Sequence, residues 1–321
     1  MRLCGDRKTA GNEKYLFGPV PSRRLGRSLG VDIVPHKACT LNCIYCQVGR
    51  TSKLTIRRKE YVSIKAVLDE LKQRLAEGLQ ADYITISGSG EPTLNSCLGE
   101  LIDGIRQITK IPIAIITNGT LLYRQDVRAD CAKADVVLPS LDAGTEDVFR
   151  RINRPHKNIS IEKLISGLCR FRKEYSGQIW LEVFLVEGVN TDGAQVTAIK
   201  EAIEKIQPDK VQLNTAVRPT VEGGVGRLDE QRLREIAAQL GEKAEVIEDF
   251  AQVVGGKDVR MQAEDVLAML KRRPSTVEDI SAGLGISGEE ALEFIQVLQQ
   301  QGVISYEEKG GVRFFKAKEA L

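Results

Sequence analysis

The run Leu29-Gly30-Val31-Asp32-Ile33-Val34 leads through Pro35-His36-Lys37-Ala38 into Cys39-Thr40-Leu41-Asn42-Cys43-Ile44-Tyr45-Cys46. The first six residues read as a short buried strand. Three cysteines follow at C-x3-C-x2-C spacing, just past the strand's C-terminal end, where α/β proteins place their chemistry. Three thiolates this close can wrap one metal centre. A structural zinc wants a fourth Cys or His. Only His36 is near, and no second cysteine pair follows. Three thiolates on a cubane iron–sulfur cluster leave one iron open to another ligand. Core thiols with no metal are the third reading.

Outward from this stretch, apolar runs recur at Asp82–Ser87, Ile113–Thr117, Asp135–Leu141, Gln178–Val186 and Lys210–Thr215. Each is rich in Ile, Val or Leu, as a parallel strand buried on both faces is. Helical patterns lie between them. Ser63 caps one in which Val67, Leu68, Leu71 and Leu75 share a side, and Gly78 ends it. Others fall at 96–108, 124–133, 160–175, 193–206 and 229–240. Six strands alternating with helices predict right-handed β-α-β units on one parallel sheet, either an open barrel or a flat doubly wound sheet.

The pattern changes near Phe250–Arg260, where Gly255-Gly256 interrupts it. Met261–Arg272 reads as a helix. Ser275-Thr276-Val277-Glu278 and Ser287-Gly288-Glu289-Glu290 read as capping boxes opening two more. Val303–Tyr306 and Val312–Phe315 flank Gly310-Gly311 as a hairpin. Three helices and a hairpin predict a small winged helix-turn-helix domain over 261–321. A linker over 251–260 separates it from a catalytic domain over 1–250.

The chain has 321 residues, 42% hydrophobic and 28% charged, with a net charge of +2. No run approaches 18 apolar residues, so no membrane span is expected. Met1-Arg2-Leu3-Cys4-Gly5-Asp6 has no apolar signal core, and a cytoplasmic protein is expected. Charge is uneven. Residues 1–60 hold 13 Lys/Arg against 4 Asp/Glu, whereas 261–321 hold 7 against 10. The third C-terminal helix carries Glu289, Glu290 and Glu293 and no Lys or Arg, which serves DNA phosphates poorly. The other cysteines, Cys4, Cys97, Cys131 and Cys169, share no ligand spacing. The default for such residues is a small buried hydrophobe, and a disulfide framework is not expected.

Four motifs lie in order on successive strand ends: the cysteines with Tyr45; Ser87-Gly88-Ser89-Gly90-Glu91-Pro92; Thr117-Asn118-Gly119-Thr120; and Pro139-Ser140-Leu141-Asp142. On these motifs the sequence resembles the radical S-adenosylmethionine superfamily over roughly residues 17–220. Ser89 separates two glycines that adjoin in that family's usual motif. The resemblance implies a partial (β/α)6 open barrel and a [4Fe-4S] cluster on Cys39, Cys43 and Cys46. It also implies S-adenosylmethionine on the fourth iron. Reductive cleavage then gives a 5′-deoxyadenosyl radical that abstracts hydrogen from substrate. It further implies roles: Gly88 and Gly90 admitting the methionine moiety, and backbone carbonyls there or Glu91 receiving its ammonium. Asn118 and Asp142 join the cofactor contacts, Ser140 donates to the carboxylate or ribose, and Tyr45 lies near adenine. An electron donor such as flavodoxin or ferredoxin is implied as a partner.

Phe17–Gly30, Ile152–His156 and Gln212–Pro219 look like the wyosine-base tRNA synthases and their uncharacterised prokaryotic relatives. Those enzymes use extra N-terminal cysteines, and this chain has only Cys4 there. Arg23, Arg24 and Arg27 give the N-terminal part a basic face suited to phosphates, so RNA stands ahead of a peptide or protein as substrate. Glu182, a charge amid Trp180, Val183 and Phe184, and Arg154 are the candidate catalytic residues; a structural ion pair is the other reading of Glu182. An iron–sulfur sensor acting through the winged helix is the alternative function. A zinc-stabilised RNA-binding adaptor is the third.

Overall fold

The computed structural model describes residues 14–247 and 263–318. The expected linker, 251–260, and Cys4 lie outside them. Eight strands form one sheet, each hydrogen-bonded to the next in chain order: β1 (Leu16–Ser22), β2 (Gly26–Val31), β3 (Tyr83–Ile86), β4 (Ile113–Thr117), β5 (Val136–Pro139), β6 (Gln178–Phe184), β7 (Lys210–Asn214) and β8 (Ala244–Val246). β1 runs antiparallel to β2, and every other pairing is parallel. The edge strands β1 and β8 do not pair, so the sheet is open.

Helices α1 (Ile64–Ala76), α2 (Leu98–Ile108), α3 (Gln125–Cys131), α4 (Glu146–Ile152), α5 (Ile161–Glu174), α6 (Gly193–Ile206) and α7 (Glu230–Leu240) make the crossovers. The six expected strands are all present. β1 and β8 flank them, and α4 is an additional short helix. Strand alternation sorts β6 cleanly: Ile179, Leu181 and Val183 enter the large apolar core with the helices. Trp180 and Phe184 enter separate small clusters, Trp180 with Leu25, Ala114, Val136 and Leu138, and Phe184 with Ile44 and Ile152.

Beyond the gap come α8 (Ala263–Leu270), α9 (Val277–Leu284) and α10 (Gly288–Gln300). A hairpin of β9 (Ile304–Lys309) and β10 (Val312–Ala317) follows. Gly310 and Gly311 both take positive φ in its two-residue turn, a conformation that glycine tolerates. The expected box at Ser287 and Glu290 is present. The other sits one residue later than expected, with Thr276 capping and Asp279 answering. Val20 of β1 belongs to this unit's apolar core, and Phe17 packs against it. Lys309 Nζ donates to the carbonyls of Ala216 and Arg218, and Arg218 pairs with Asp279. No helix among the described residues is long and apolar enough to cross a membrane.

Candidate active site

The cysteine loop leaves the C-terminal end of β2 and is strapped down by distant backbone. His156 N donates to Thr40 O, Asn42 N to Asn153 O and Ile44 N to Ile152 O, each at 2.9–3.0 Å. Val221 N donates to Cys46 O. The three thiols are free and half-buried. Each has a side-chain N–H donor from a different part of the chain: Lys37 Nζ to Cys46 Sγ at 2.9 Å, Asn118 Nδ2 to Cys39 Sγ at 3.5 Å and Asn153 Nδ2 to Cys43 Sγ at 3.4 Å. Burial first, then the charge of Glu91, pushes the Cys39 thiol up to about 12. Burial and then Asp142 push Cys43 well up.

Among the described residues no three His, Cys, Asp or Glu side chains converge on a point where a single metal ion would sit. Three free thiols on one loop, each sulfur met by an N–H, fit a larger centre. Hydrogen bonds to cluster sulfurs are among the levers that set a cluster's potential. Thiols raised by burial become ligands when iron displaces their protons.

The Ser87–Pro92 turn follows β3. A Cβ on Gly90 would lie 2.1 Å from the Ala38 carbonyl oxygen, and one on Gly88 would lie 2.3 Å from the Asp32 carboxyl carbon. The loop's backbone thus packs against this turn, and protein contacts alone require both glycines. Glu91 caps the Pro92–Leu94 turn. It is buried, with Oε1 accepting from Thr93 N, Thr93 Oγ1 and Thr117 Oγ1, and Oε2 from Asn118 N. Three donors crowd Oε1 and one meets Oε2, so most of the carboxylate's accepting capacity is taken up within the protein. Glu91 joins the ends of β3 and β4. Burial still raises its pKa against the hydrogen bonds that lower it. Asn118 is likewise turned to the loop, donating to Thr40 Oγ1 as well as to Cys39.

Asp142 also faces protein. Its Oδ2 accepts from Tyr45 OH and Asn153 Nδ2, and its Oδ1 from Phe184 N. Burial raises it to about 6. The Tyr45 ring stacks on Phe184 at 3.9 Å, so its side chain is committed to β6. Ser140 is different: half-buried, bridged to Glu182 through backbone, its hydroxyl has no protein partner among the described residues. Glu182 pairs with Arg24 from the β1–β2 turn, and both are largely shielded. Gln212 stands beside Glu182 in the parallel register, with a buried Oε1 lacking a partner. Arg23 Nη2 donates to Asn214.

Arg154 pairs with Glu222 at the rim, the two side chains 38% and 30% exposed. The contact holds the Glu222 carboxyl below its usual range. Arg154→Ala is expected to cost less than about 1 kcal/mol, because water screens such pairs. Thermal unfolding of the purified variant checks this.

Lys37, Asn153, Asp32 and Arg24 are the site residues that sequence reasoning did not single out for the roles they take. Cys97, expected to be a small core residue, is buried, while Cys131 is free and buried and Cys169 free and half-buried. A cavity of about 820 Å³ borders β7, β8 and α7, with Arg23, Arg24, Gln212 and Asn214 in its wall. The cysteines do not line it.

The model of the Radical SAM superfamily matches residues 33–200, which contain the cysteine loop, the Ser87–Pro92 turn and the ends of β4 and β5. The chain belongs to the radical SAM superfamily, a class of enzymes built on a [4Fe-4S] cluster and S-adenosylmethionine. It is similar to a UPF0026 protein of Helicobacter pylori, 30% identical over 309 residues, 95% of this chain and 98% of that one. It is also 39% identical over 302 residues to a Brachyspira hyodysenteriae protein named GTPase Obg, covering 93% of this chain. The chain spans only 44% of that protein's length, and its sequence has no Gly-x4-Gly-Lys-Ser/Thr phosphate loop. Among solved structures, a radical SAM methyltransferase from Sphaerobacter thermophilus matches with a TM-score of 0.50 at 20% identity, covering 68% of this chain and 65% of that one. That likeness concerns the fold. Neither relative is named as a wyosine-base synthase.

Proposed function

We propose that the protein is a cytoplasmic radical S-adenosylmethionine enzyme whose Cys39, Cys43 and Cys46 hold one [4Fe-4S] cluster. The observation that carries this is the set of three free thiols, each met by an N–H from Lys37, Asn118 or Asn153. When bound, the cluster and S-adenosylmethionine supply a 5′-deoxyadenosyl radical by one-electron reductive cleavage. The chain's own residues hold and shield that chemistry. Glu91 and Asp142 fix the strand ends around the loop. Backbone carbonyls of Gly88–Gly90 would hold the methionine ammonium, Ser140 its carboxylate or ribose, and the Tyr45 backbone the adenine. Glu182, held by Arg24 beside Gln212, orients the substrate.

The open, mostly parallel sheet supports the partial (β/α)6 barrel. The element order after Ala263 supports a winged helix, read as a protein-docking or dimerisation unit over 261–321, after a catalytic domain over 1–250 and a linker over 251–260. Its acidic α10 argues against the sensor alternative and against DNA. RNA is favoured over peptide or protein as substrate by the N-terminal basic charge, and the wyosine-synthase likeness stays with this reading. A flavodoxin or ferredoxin supplies the electron.

The test is 5′-deoxyadenosine formation by anaerobically reconstituted protein with S-adenosylmethionine and dithionite. Formation is expected in the intact protein and not in the Cys39→Ala/Cys43→Ala/Cys46→Ala variant. A fully loaded cluster whose spectrum ignores S-adenosylmethionine, with no product, would overturn the reading.

A further inference from the structure

Asp32 sits at the end of β2 behind the Ser87–Pro92 turn. It is 7% exposed, and its Oδ2 accepts from Ser89 N at 3.0 Å and from Ser89 Oγ at 2.5 Å. Gly88 lies directly against the same carboxylate. Its Oδ1 is buried with no partner. The positive charge that pairs with Asp32 comes from 240 residues away: Arg272, just after α8, donates from Nε to Asp32 Oδ2 at 3.2 Å. That guanidinium is itself fixed, donating from Nη1 to Ala268 O and lying 4.3 Å from the Phe17 ring centroid.

We propose that Arg272 is a positioning residue for the S-adenosylmethionine turn, acting through Asp32, so that the C-terminal unit is a working part of the cofactor site. This rests on the reading above that the turn receives the cofactor. The physical reason is that a buried carboxylate without its cation is strongly disfavoured. Left unpaired it swings toward water, and that movement disturbs its contacts with Ser89 and the packing of Gly88. A detachable C-terminal module would not be wired in this way. Val20 of β1 belongs to the unit's core.

The experiment uses reconstituted full-length protein, with Arg272→Met, Arg272→Lys and the double variant Asp32→Asn/Arg272→Met. Iron and sulfide content, thermal unfolding and S-adenosylmethionine affinity by equilibrium dialysis are read together. Arg272→Met is expected to load the cluster as the wild type does and to bind S-adenosylmethionine at least tenfold more weakly. Arg272→Lys should fall between the two. The double variant, which removes both buried charges, should bind more tightly than Arg272→Met but at least threefold more weakly than the wild type. A loaded Arg272→Met with wild-type affinity overturns the proposal. If Arg272→Met does not fold, wild-type affinity in the double variant overturns it equally. Failure of the wild type itself to bind S-adenosylmethionine would instead strike the parent reading.

Discussion

Glu91→Ala is expected to lower the unfolding free energy by about 4 kcal/mol and the melting temperature by about 10 °C. Four donors point at its two oxygens from Thr93, Thr117 and Asn118. Truncation leaves those donors buried beside a void, and each orphaned group costs about 1–3 kcal/mol. Relaxation of the Thr hydroxyls toward one another recovers part of that sum. Glu91→Gln keeps the shape but offers one oxygen and turns an amide toward a donor, so it should lose about half as much. The damage should spread to the cluster, because Asn118 reaches both Cys39 and Thr40. Iron content after reconstitution should fall in Glu91→Ala along with stability. Thermal unfolding of the metal-free chain and iron analysis of the reconstituted one check the two halves. Normal stability would show that the carboxylate does not join β3 to β4.

The strands were legible because a parallel strand covered on both faces has one chemical requirement, a short apolar β-branched run. β4 coincides with the expected Ile113–Thr117. β2 begins and ends three residues before the expected Leu29–Val34, since Ile33 and Val34 are buried under the loop without pairing. β1 was hidden by Gly18, Pro19 and Pro21, which break an apolar strand pattern but are tolerated on a sheet edge. β8 has three residues and α4 seven, too few for a period to register. At Ser275 and Thr276 two overlapping boxes satisfy the same spacing; the Ser275 backbone is paired with Phe315, and Thr276 caps the helix. The cysteines were legible because their ligand chemistry is local. The protein partners of Glu91 and Asp142 were not legible, because a carboxylate on a strand end shows no donors in the sequence. Those donors come from other strands. Lys37 was invisible for a related reason: lysine is expected at the surface, yet this one is 4% exposed with its ammonium on a thiol.

Asp142→Asn is expected to change stability in a pH-dependent way, by about 3 kcal/mol across its window, which separates it from ordinary hydrogen-bond loss. Burial raises the Asp142 carboxyl from 3.8 to about 6, despite hydrogen bonds from Tyr45, Asn153 and Phe184 that favour the anion. An acid raised on folding favours the folded state fully below its unfolded pKa, and that contribution is lost as pH rises through the folded value. The wild-type metal-free chain should therefore lose stability from this group between pH 4 and pH 7. The Asn variant has no such titration. It should be the less stable protein near pH 4, where it lacks only hydrogen-bonding capacity, and should draw level with or pass the wild type near pH 7. Urea unfolding at both pH values reads the difference, and a constant gap would refute the assignment. Asp142→Ala removes the acceptor altogether and leaves Tyr45, Asn153 and Phe184 N without it, so it should be destabilised at both pH values. Because Asn153 is the donor to Cys43, that variant should also reconstitute less iron. One buried carboxylate would then govern how the cysteine loop is held, through the ring on one side and the amide on the other.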